Sequence, residues 1–264
     1  MCLILFAYNM HPKYPLILGS NRDEFYHRPT AQAHYWEDHP HILAGRDLSK
    51  MGTWMGVTIE GRLAAVTNYR DPNEDVHAKG SRGDLVADFL KGTSTPEQYI
   101  KHAERSRNDY PGYNLLVGDP DDLYYYSNVG NVVMKLKPGI YGISNHLINT
   151  DWPKVKRGKE GLEKIIQGED EAILTEEILG LLQMADPSVD ELLPHTGVPL
   201  EWERLLSPIF VKSEKFDYGT RASSVVLMNR EEVFFTERVH QNGEVMEQRF
   251  NIKLLTRQAE NRKN

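Results

Sequence analysis

The chain has 264 residues, of which 40% are apolar and 26% charged, and its formal net charge is −7. This composition is ordinary for a globular protein that can bury a substantial core. The negative charge argues against general nucleic-acid binding, which requires a basic surface. No apolar run approaches the roughly 18 residues of a membrane-spanning helix, so we expect no membrane span. The single cysteine excludes an intrachain disulfide and favours the reducing cytoplasm as the expected location.

The N-terminal part of the chain is predicted to form antiparallel strands. Apolar runs at 2–8 and 16–20 flank a turn-rich segment, and the runs at 53–59 and 62–67 are joined by a Glu-Gly turn that is typical of hairpins. If the first two runs also form a hairpin, the residues that follow position 20 lie beside the start of the first strand.

Two helices are predicted after these strands. Ser81 and Asp84 resemble a capping box at the start of a helix over 82–91. The sequence Thr-Pro-Glu-Gln at 95–98 combines an N-cap, a proline at the first helical position and a glutamine three residues after the cap.

The rest of the chain alternates between strand and helix patterns. Strands are predicted at 113–117, 123–127, 131–136, 140–144, 222–229, 232–239 and 246–253, and helices at 153–167 and 175–185. The order is strands, helices, strands, helices, strands, without an internal repeat. It predicts a layered α+β protein with one domain over 1–256 and a polar tail at 257–264.

Cys2 directly follows the initiator methionine, so this cysteine can become the N-terminal residue. If Met1 is removed, one residue carries both a nucleophile and an α-amine whose pKa is about 7.7–8. Acyl transfer needs such a nucleophile with a base. The alternative is that Cys2 opens a buried strand and is inert packing.

Four polar clusters at predicted strand ends interrupt the apolar pattern. They are Asn21-Arg22-Asp23-Glu24, Thr67-Asn68-Tyr69-Arg70 after the Gly52–Gly56 segment, Ile143-Ser144-Asn145-His146, and Tyr218 to Ser224. Each alone is also typical of a solvated turn, but together they indicate a site. In the predicted hairpin, Arg22 would lower the thiol pKa and Asp23 would orient the α-amine. Asn68 can donate an N–H to an oxyanion.

Metal and cofactor motifs are missing from the sequence. No zinc, haem-attachment, dinucleotide or phosphate-loop pattern occurs. His39 and His41 can share a strand face, but two ligands do not make a metal site. We therefore expect no cofactor and no metal.

The combination of these short segments resembles the NRDE-motif family, also called the transport and Golgi organisation 2 family. The resemblance covers residues from Met1 to about Leu227. It is carried by the Met-Cys start, Asn21–Glu24, Gly52–Gly56, Thr67–Arg70, Ser81-Arg82-Gly83, Tyr113–Leu116, Gly142–Asn145, Trp152-Pro153-Lys154 and Tyr218–Arg221.

This resemblance implies an N-terminal-nucleophile hydrolase-like fold, a four-layer αββα sandwich of two antiparallel sheets between helical layers. The layout is more distantly similar to choloylglycine hydrolases and penicillin acylases. The positions that match their catalytic residues are Cys2, Arg22, Asp23, Asn68, Asn145 and Arg221. One departure is that Arg22 and Asp23 are adjacent, so they should face opposite sides of a strand.

Two functional hypotheses follow, together with a plainer alternative. The first is an amidohydrolase-like enzyme in which Cys2 attacks a small acyl amide, ester or thioester. The second is a non-catalytic carrier of the same fold, for haem or an acyl lipid, where haem rests on family analogy alone. The plainer alternative is a scaffold whose polar clusters only satisfy strand ends. Each of the first two predicts a small-molecule partner, and the oligomeric state stays open.

Overall fold

The computed structural model describes residues 2–74, 80–241 and 243–255. Met1 and the predicted polar tail at 257–264 lie outside the described residues. Within the described ranges, the helices are too short or too polar to cross a bilayer.

The described residues form strands and helices that alternate along the chain. The strands are β1 (Cys2–Tyr8), β2 (Leu16–Phe25), β3 (Thr30–Tyr35), β4 (Ile42–Asp47), β5 (Met55–Thr58), β6 (Leu63–Asn68), β7 (Tyr113–Gly118), β8 (Leu123–Ser127), β9 (Val132–Lys135), β10 (Gly139–Ile143), β11 (Lys212–Ser213), β12 (Tyr218–Met228), β13 (Glu232–Gln241) and β14 (Glu244–Lys253). The helices are α1 (Arg82–Lys91), α2 (Pro96–Arg105), α3 (Pro153–Ile165), α4 (Glu171–Leu182) and α5 (Leu200–Leu205). Short 3₁₀ turns lie at Arg107–Asp109 and Asp190–Leu192.

These strands form two antiparallel sheets. In the first sheet the spatial order is β10-β1-β2-β12-β13-β14, and β11 pairs with the start of β12. In the second sheet the strands follow the chain order from β3 to β9. Each sheet therefore has seven strands among the described residues.

The side chains of β1 show how the layers are stacked. Successive strand residues point to opposite faces. Ile4 and Phe6 pack between the two sheets, whereas Leu3 and Leu5 pack under α3 and α4 on the outer face of the first sheet. Helices α1 and α2 cover the outer face of the second sheet. This confirms the predicted four-layer αββα sandwich.

Several local predictions are confirmed as well. β1 and β2 form the expected hairpin, and Gly61 has φ +81° in the turn between β5 and β6, a conformation that favours glycine. Both predicted capping boxes are present, at Ser81 and at Thr95.

The region between β2 and β5 was predicted incompletely. β2 continues to Phe25, so the Asn-Arg-Asp-Glu sequence lies inside a strand and not after its end. β3 and β4 were missed. β12 similarly begins at Tyr218, before the predicted start. In β2 and β12, polar side chains find buried partners on neighbouring elements, so tertiary contacts overrule a pattern that is typical of loops.

Candidate active site

Cys2 lies at the start of β1, directly opposite Arg22 of β2. Opposed residues in an antiparallel pair project to the same face of the sheet. Because Ile4 and Phe6 of β1 pack between the sheets, Cys2 and Arg22 also point to that side. The backbone oxygen of Cys2 accepts a hydrogen bond from Ser144 Oγ at 3.3 Å, which ties β1 to the end of β10.

A cleft of about 610 Å³ opens at this end of the sheets. The cleft is lined by side chains from both sheets and from the start of α1 and α5, among them Cys2, Arg22, Asp23, Trp54, Asn68 and Tyr218. One wall depends on a close approach of two backbone segments. A Cβ atom on Gly52 would lie 2.7 Å from the carbonyl carbon of Gly83.

The guanidinium of Arg22 is buried in the cleft wall. It lies 4.2 Å from the centre of the Trp54 ring, and Arg22 is only 6% exposed. Its Nη1 atom has no hydrogen-bond partner among the described residues. Burial lowers the pKa of Arg22, while Glu24 and Cys2 raise it. This guanidinium is a donor held beside Cys2 by stacking, with one nitrogen available to a ligand.

Asp23 faces the other side of β2 from Arg22, as strand alternation predicts. Its Oδ1 atom accepts a hydrogen bond from Thr220 Oγ1 at 2.7 Å, and Tyr218 donates its hydroxyl to the Asp23 backbone oxygen at 3.0 Å. Burial raises the pKa of the Asp23 carboxyl, and the ammonium of Lys154 opposes that shift. Since Arg22 and Asp23 both line the cleft, the cleft reaches both faces of β2 at this end.

Asn21, the first residue of the same motif, holds the strand in place. Its Nδ2 atom donates to the backbone oxygens of Leu182 at 2.8 Å and Ile209 at 2.9 Å. Its Oδ1 atom accepts from Ser223 Oγ at 2.7 Å. Asn21 thus fastens β2 to the end of α4 and to β12.

Asn68 and Asn145 form a pair at the ends of two different strands. Asn145 Nδ2 donates to the side-chain oxygen of Asn68 at 2.9 Å and to its backbone oxygen at 3.1 Å. Asn145 Oδ1 accepts from Ser144 Oγ at 3.2 Å. The amide of Asn145 is therefore occupied, whereas Asn68 lines the cleft and its Nδ2 atom has no acceptor among the described residues. Asn68 is the better placed of the two to donate to a ligand.

Arg221 lies outside the cleft, although it lines a small neighbouring pocket together with Arg22. The pairing of β12 with β2 shifts register between Thr220 and Ala222, so Arg221 occupies a bulge. Its Nη1 atom donates to the backbone oxygens of Phe25 and Arg28 at 2.9 and 3.2 Å, and it does not line the cleft. The structure thus brings Cys2, Arg22, Asp23 and Asn68 to one cleft, with Asn145 behind Asn68.

Sequence reasoning missed a group of buried charges behind the cleft. Arg70 Nη1 contacts Glu203 Oε2 at 2.5 Å, with side-chain exposures of 4% and 3%. Glu203 also accepts from the backbone and hydroxyl of Thr196. Lys154 is 2% exposed. Arg70 and Lys154 stand in segments that carried the family resemblance, but nothing local in the sequence signals that Glu203 is buried.

The thiol of Cys2 is not activated by its surroundings in this state. Burial raises its pKa, Asp23 and Glu24 raise it further, and Arg22 lowers it. Arg22 thus acts in the direction that the sequence suggested, but the net shift of the thiol pKa is upward because burial outweighs it. At neutral pH the thiol is therefore protonated, and any reaction through it needs a proton acceptor.

The residues of the cleft do not suit a metal or haem. Among the described residues, no three His, Cys, Asp or Glu side chains converge to hold a metal ion. Haem iron in proteins takes His, Cys thiolate, Met or Tyr. The described cleft lining contains neither His nor Met, the Tyr218 hydroxyl already donates to the Asp23 backbone oxygen, and Cys2 would have to lose its proton to bind iron.

Comparison with known proteins agrees with this architecture. A family model described as "Transport and Golgi organisation 2" matches residues 1–242. The chain belongs to this family. The Bos taurus "Transport and Golgi organization protein 2 homolog" is 37% identical over 259 residues, covering 90% of this chain and 92% of the relative. The Homo sapiens protein of the same name is 33% identical over 257 residues, with the same coverage.

A solved structure shows the same fold in a more distant protein. The Caenorhabditis elegans orthologue of N-acylethanolamine-hydrolyzing acid amidase superposes with a TM-score of 0.51 and 12% sequence identity. The match covers 86% of this chain and 92% of that chain. The chain therefore shares the N-terminal-nucleophile hydrolase-like fold that the resemblance implied.

Proposed function

We propose that the protein is an N-terminal-cysteine amidohydrolase-like enzyme that acts on a small acyl amide, ester or thioester. The observation that carries the proposal is the position of Cys2. It is the first residue of a strand, opposite Arg22, in a cleft that also holds Asp23 and Asn68. The same fold supports an amidase in the C. elegans protein, but fold alone does not assign activity.

The proposed reaction proceeds in two steps. Sγ of Cys2 bonds to the acyl carbon, and the bond from that carbon to the leaving nitrogen, oxygen or sulfur breaks. The α-amine of Cys2, exposed when Met1 is removed, accepts the thiol proton and passes it to the leaving group. Water then attacks the acyl-enzyme, releasing a carboxylic acid and restoring the thiol.

Asp23 and Asn68 supply the supporting electrostatics in this scheme. The Asp23 carboxylate holds the α-amine while the amine is cationic. Nδ2 of Asn68 donates to the oxygen that becomes negative during acyl transfer, an interaction whose removal typically costs about 10²–10³ in kcat. Asn145 acts by fixing the Asn68 amide, and Arg221 by holding the Phe25–Arg28 turn.

The test uses the fact that Cys2 is the sole cysteine. Intact mass determines whether Met1 has been removed, and iodoacetamide followed by mass analysis reports on Cys2 alone. Aryl esters, anilides and acyl thioesters are then assayed with the wild type and with Cys2→Ala. We expect turnover that requires Cys2 and a mature protein without Met1. Active protein with Met1 intact removes the amine from the mechanism.

A second candidate is a non-catalytic carrier for an acyl ligand. It is favoured by the protonated thiol of Cys2, which packs well against an apolar ligand but is a poor nucleophile. For a carrier, Cys2→Ala would bind a fluorescent fatty acid as tightly as the wild type, and no acyl substrate would turn over. Haemin at micromolar concentration serves as a further ligand, and an unchanged Soret band argues against a haem carrier.

The location of the protein belongs with these proposals. The presence of a single cysteine in the sequence is compatible with a reducing compartment. We propose the cytoplasm, and immunofluorescence of the tagged full chain tests it.

A further inference from the structure

Lys154 is a buried amine that the proposed reaction has not used. It is the second residue of α3 and is 2% exposed. Its Nζ atom has no hydrogen-bond partner among the described residues. A lysine held in this way destabilises the folded protein unless its charge is balanced nearby.

The packing of α3 on β1 places Lys154 beside the candidate site. A Cβ atom on Gly158 would lie 2.5 Å from Leu5 Cδ1, so this part of the helix lies on Leu5. Lys154 precedes Gly158 by about one turn, roughly 6 Å, and helical side chains lean toward the N-terminus. This brings the amine toward Leu3 and the start of β1. Asp23 emerges on the same face of the neighbouring strand.

The charges around Lys154 come from four other elements. Burial lowers its pKa to about 8, Asp23 of β2 raises it, Arg70 after β6 lowers it, and Cys2 of β1 and Glu203 of α5 raise it. Of these groups, Arg70 and Glu203 are paired with each other at 2.5 Å. Asp23 exerts the largest opposing effect on Lys154, and Lys154 in turn lowers the pKa of Asp23.

We propose that Lys154 is a positioning residue whose ammonium keeps the buried carboxyl of Asp23 ionised, so that Asp23 can hold the α-amine of Cys2. The inference rests on the proposed function for the role of that amine. It requires no contact between Lys154 and the substrate, and Lys154 does not line the cleft.

The stabilisation of the Asp23 carboxylate by Lys154 should depend on pH. Near pH 7 Lys154 is protonated and supports the Asp23 carboxylate. As the pH rises through about 8, Lys154 loses its proton and the support disappears. Tyr218 of β12, whose hydroxyl donates to the Asp23 backbone oxygen, is another titratable group beside Asp23, and Arg70 also lowers the pKa of Asp23. Burial raises the pKa of Tyr218 well above its ordinary value, so Tyr218 stays neutral in this range.

A thermodynamic cycle tests the coupling without any substrate. Thermal unfolding is measured for the wild type, Lys154→Met, Asp23→Asn and the double variant, at pH 7 and at pH 9.5. Each single change removes one of two opposite buried charges that stabilise each other, so we expect each to lower Tm at pH 7 and the double variant to lose less than the sum. At pH 9.5 the coupling should shrink. Additive losses at pH 7, or coupling that is independent of pH, would overturn the proposal.

Matched variants control for effects on Tm that are unrelated to the coupling between Lys154 and Asp23. Lys156→Met makes the same chemical change at an exposed position of α3, and we expect it to leave Tm unchanged. Lys154→Arg retains the charge and should behave as the wild type in the cycle. If Lys154→Met does not fold, Lys154→Gln keeps a polar end of similar length and replaces it.

A kinetic readout connects the coupling to the reaction. In Lys154→Met the acid limb of the kcat/KM profile should move to higher pH by about one unit, with KM unchanged, and Lys154→Arg should restore it. If Lys154→Met is active, the unfolding cycle shows coupling, and the acid limb of its kcat/KM profile still does not move, the positioning role is overturned. Absence of turnover by the wild type on every acyl substrate overturns the proposed function instead, and the unfolding cycle still decides whether Lys154 and Asp23 are coupled.

Discussion

Asn145 donates its side-chain amide to both oxygens of Asn68, at 2.9 Å to Oδ1 and 3.1 Å to the backbone oxygen. The two residues are 77 positions apart in sequence and lie at the ends of β6 and β10. The contact orients the Asn68 amide so that its nitrogen is left for a ligand in the cleft.

This relationship predicts different consequences for the two asparagines. Asn68→Ala removes the proposed donor to the oxyanion, so kcat should fall by about 10²–10³ with little change in KM. Asn145→Ala leaves the donor present but disoriented, and we expect a loss of roughly tenfold in kcat together with a lower Tm, since removing a buried partner costs about 1–3 kcal/mol. Steady-state kinetics and calorimetry measure both. Equal losses of kcat for the two variants would contradict the division of roles.

Arg22 should influence the reactivity of Cys2 through its charge. The guanidinium lowers the thiol pKa, so Arg22→Met should raise that pKa and slow alkylation by iodoacetamide at pH 8 by up to about tenfold, the equivalent of one pKa unit. Arg22→Lys keeps the charge and should retain most of the rate. Arg230→Met, at an exposed position far along the sequence, is the control. An unchanged rate in Arg22→Met would show that this charge does not reach the thiol.

The raised pKa of Cys2 also predicts how the rate and the stability change with pH. Alkylation of the folded protein should keep increasing above pH 8.5, the region where an ordinary thiol is half ionised, whereas the urea-unfolded chain should follow the ordinary curve. Because the folded pKa is the higher one, the stabilising contribution of the neutral thiol is complete below the unfolded pKa. It is lost as the pH rises through the folded pKa.

Comparison with Cys2→Ala isolates this effect. The free energy of unfolding of the wild type should fall relative to that of Cys2→Ala between about pH 8 and pH 10, the range set by an ordinary thiol pKa of about 8.5. Urea unfolding at several pH values measures the difference. A constant difference would mean that the folded environment does not disfavour the thiolate.

Loss of the buried carboxylate of Glu203 should destabilise the protein much more than loss of a carboxylate from an exposed ion pair. Glu203→Gln leaves the buried guanidinium of Arg70 without its counter-charge, and breaking such a pair costs about 3–5 kcal/mol of the free energy of unfolding. Urea unfolding measures it. Glu97→Gln removes the carboxylate of an exposed pair with Lys101 and should cause no measurable change. Similar effects of both changes would mean that Glu203 is solvated in solution.

The hairpin of β1 and β2 was predictable because it depends on local properties. The length of the apolar runs and the turn-rich segment between them fixed the pairing that sets Cys2 opposite Arg22. Strand alternation then predicted that Arg22 and Asp23 face opposite sides. The helix caps at Ser81 and Thr95 follow from side chains within three residues, so they were equally accessible.

Other features could not be predicted from the sequence because the residues that determine them are distant along the chain. β3 and β4 were missed since their residues are only partly apolar and gain their role from neighbouring strands. The bulge at Arg221 exists only in the pairing of β12 with β2, and it turns that side chain toward Phe25 and Arg28. Local patterns do not specify such a register shift.

The sequence by itself determined the layered α+β architecture, the family and the position of Cys2 at the start of a strand, because periodicity, turns and caps are properties of short segments. Only the tertiary structure decided which polar groups surround the thiol. It buried Lys154 beside Asp23, set Asn145 behind Asn68 and raised the pKa of Cys2. Burial and charge proximity depend on elements that are far apart along the chain, and these two quantities govern the chemistry of the cleft.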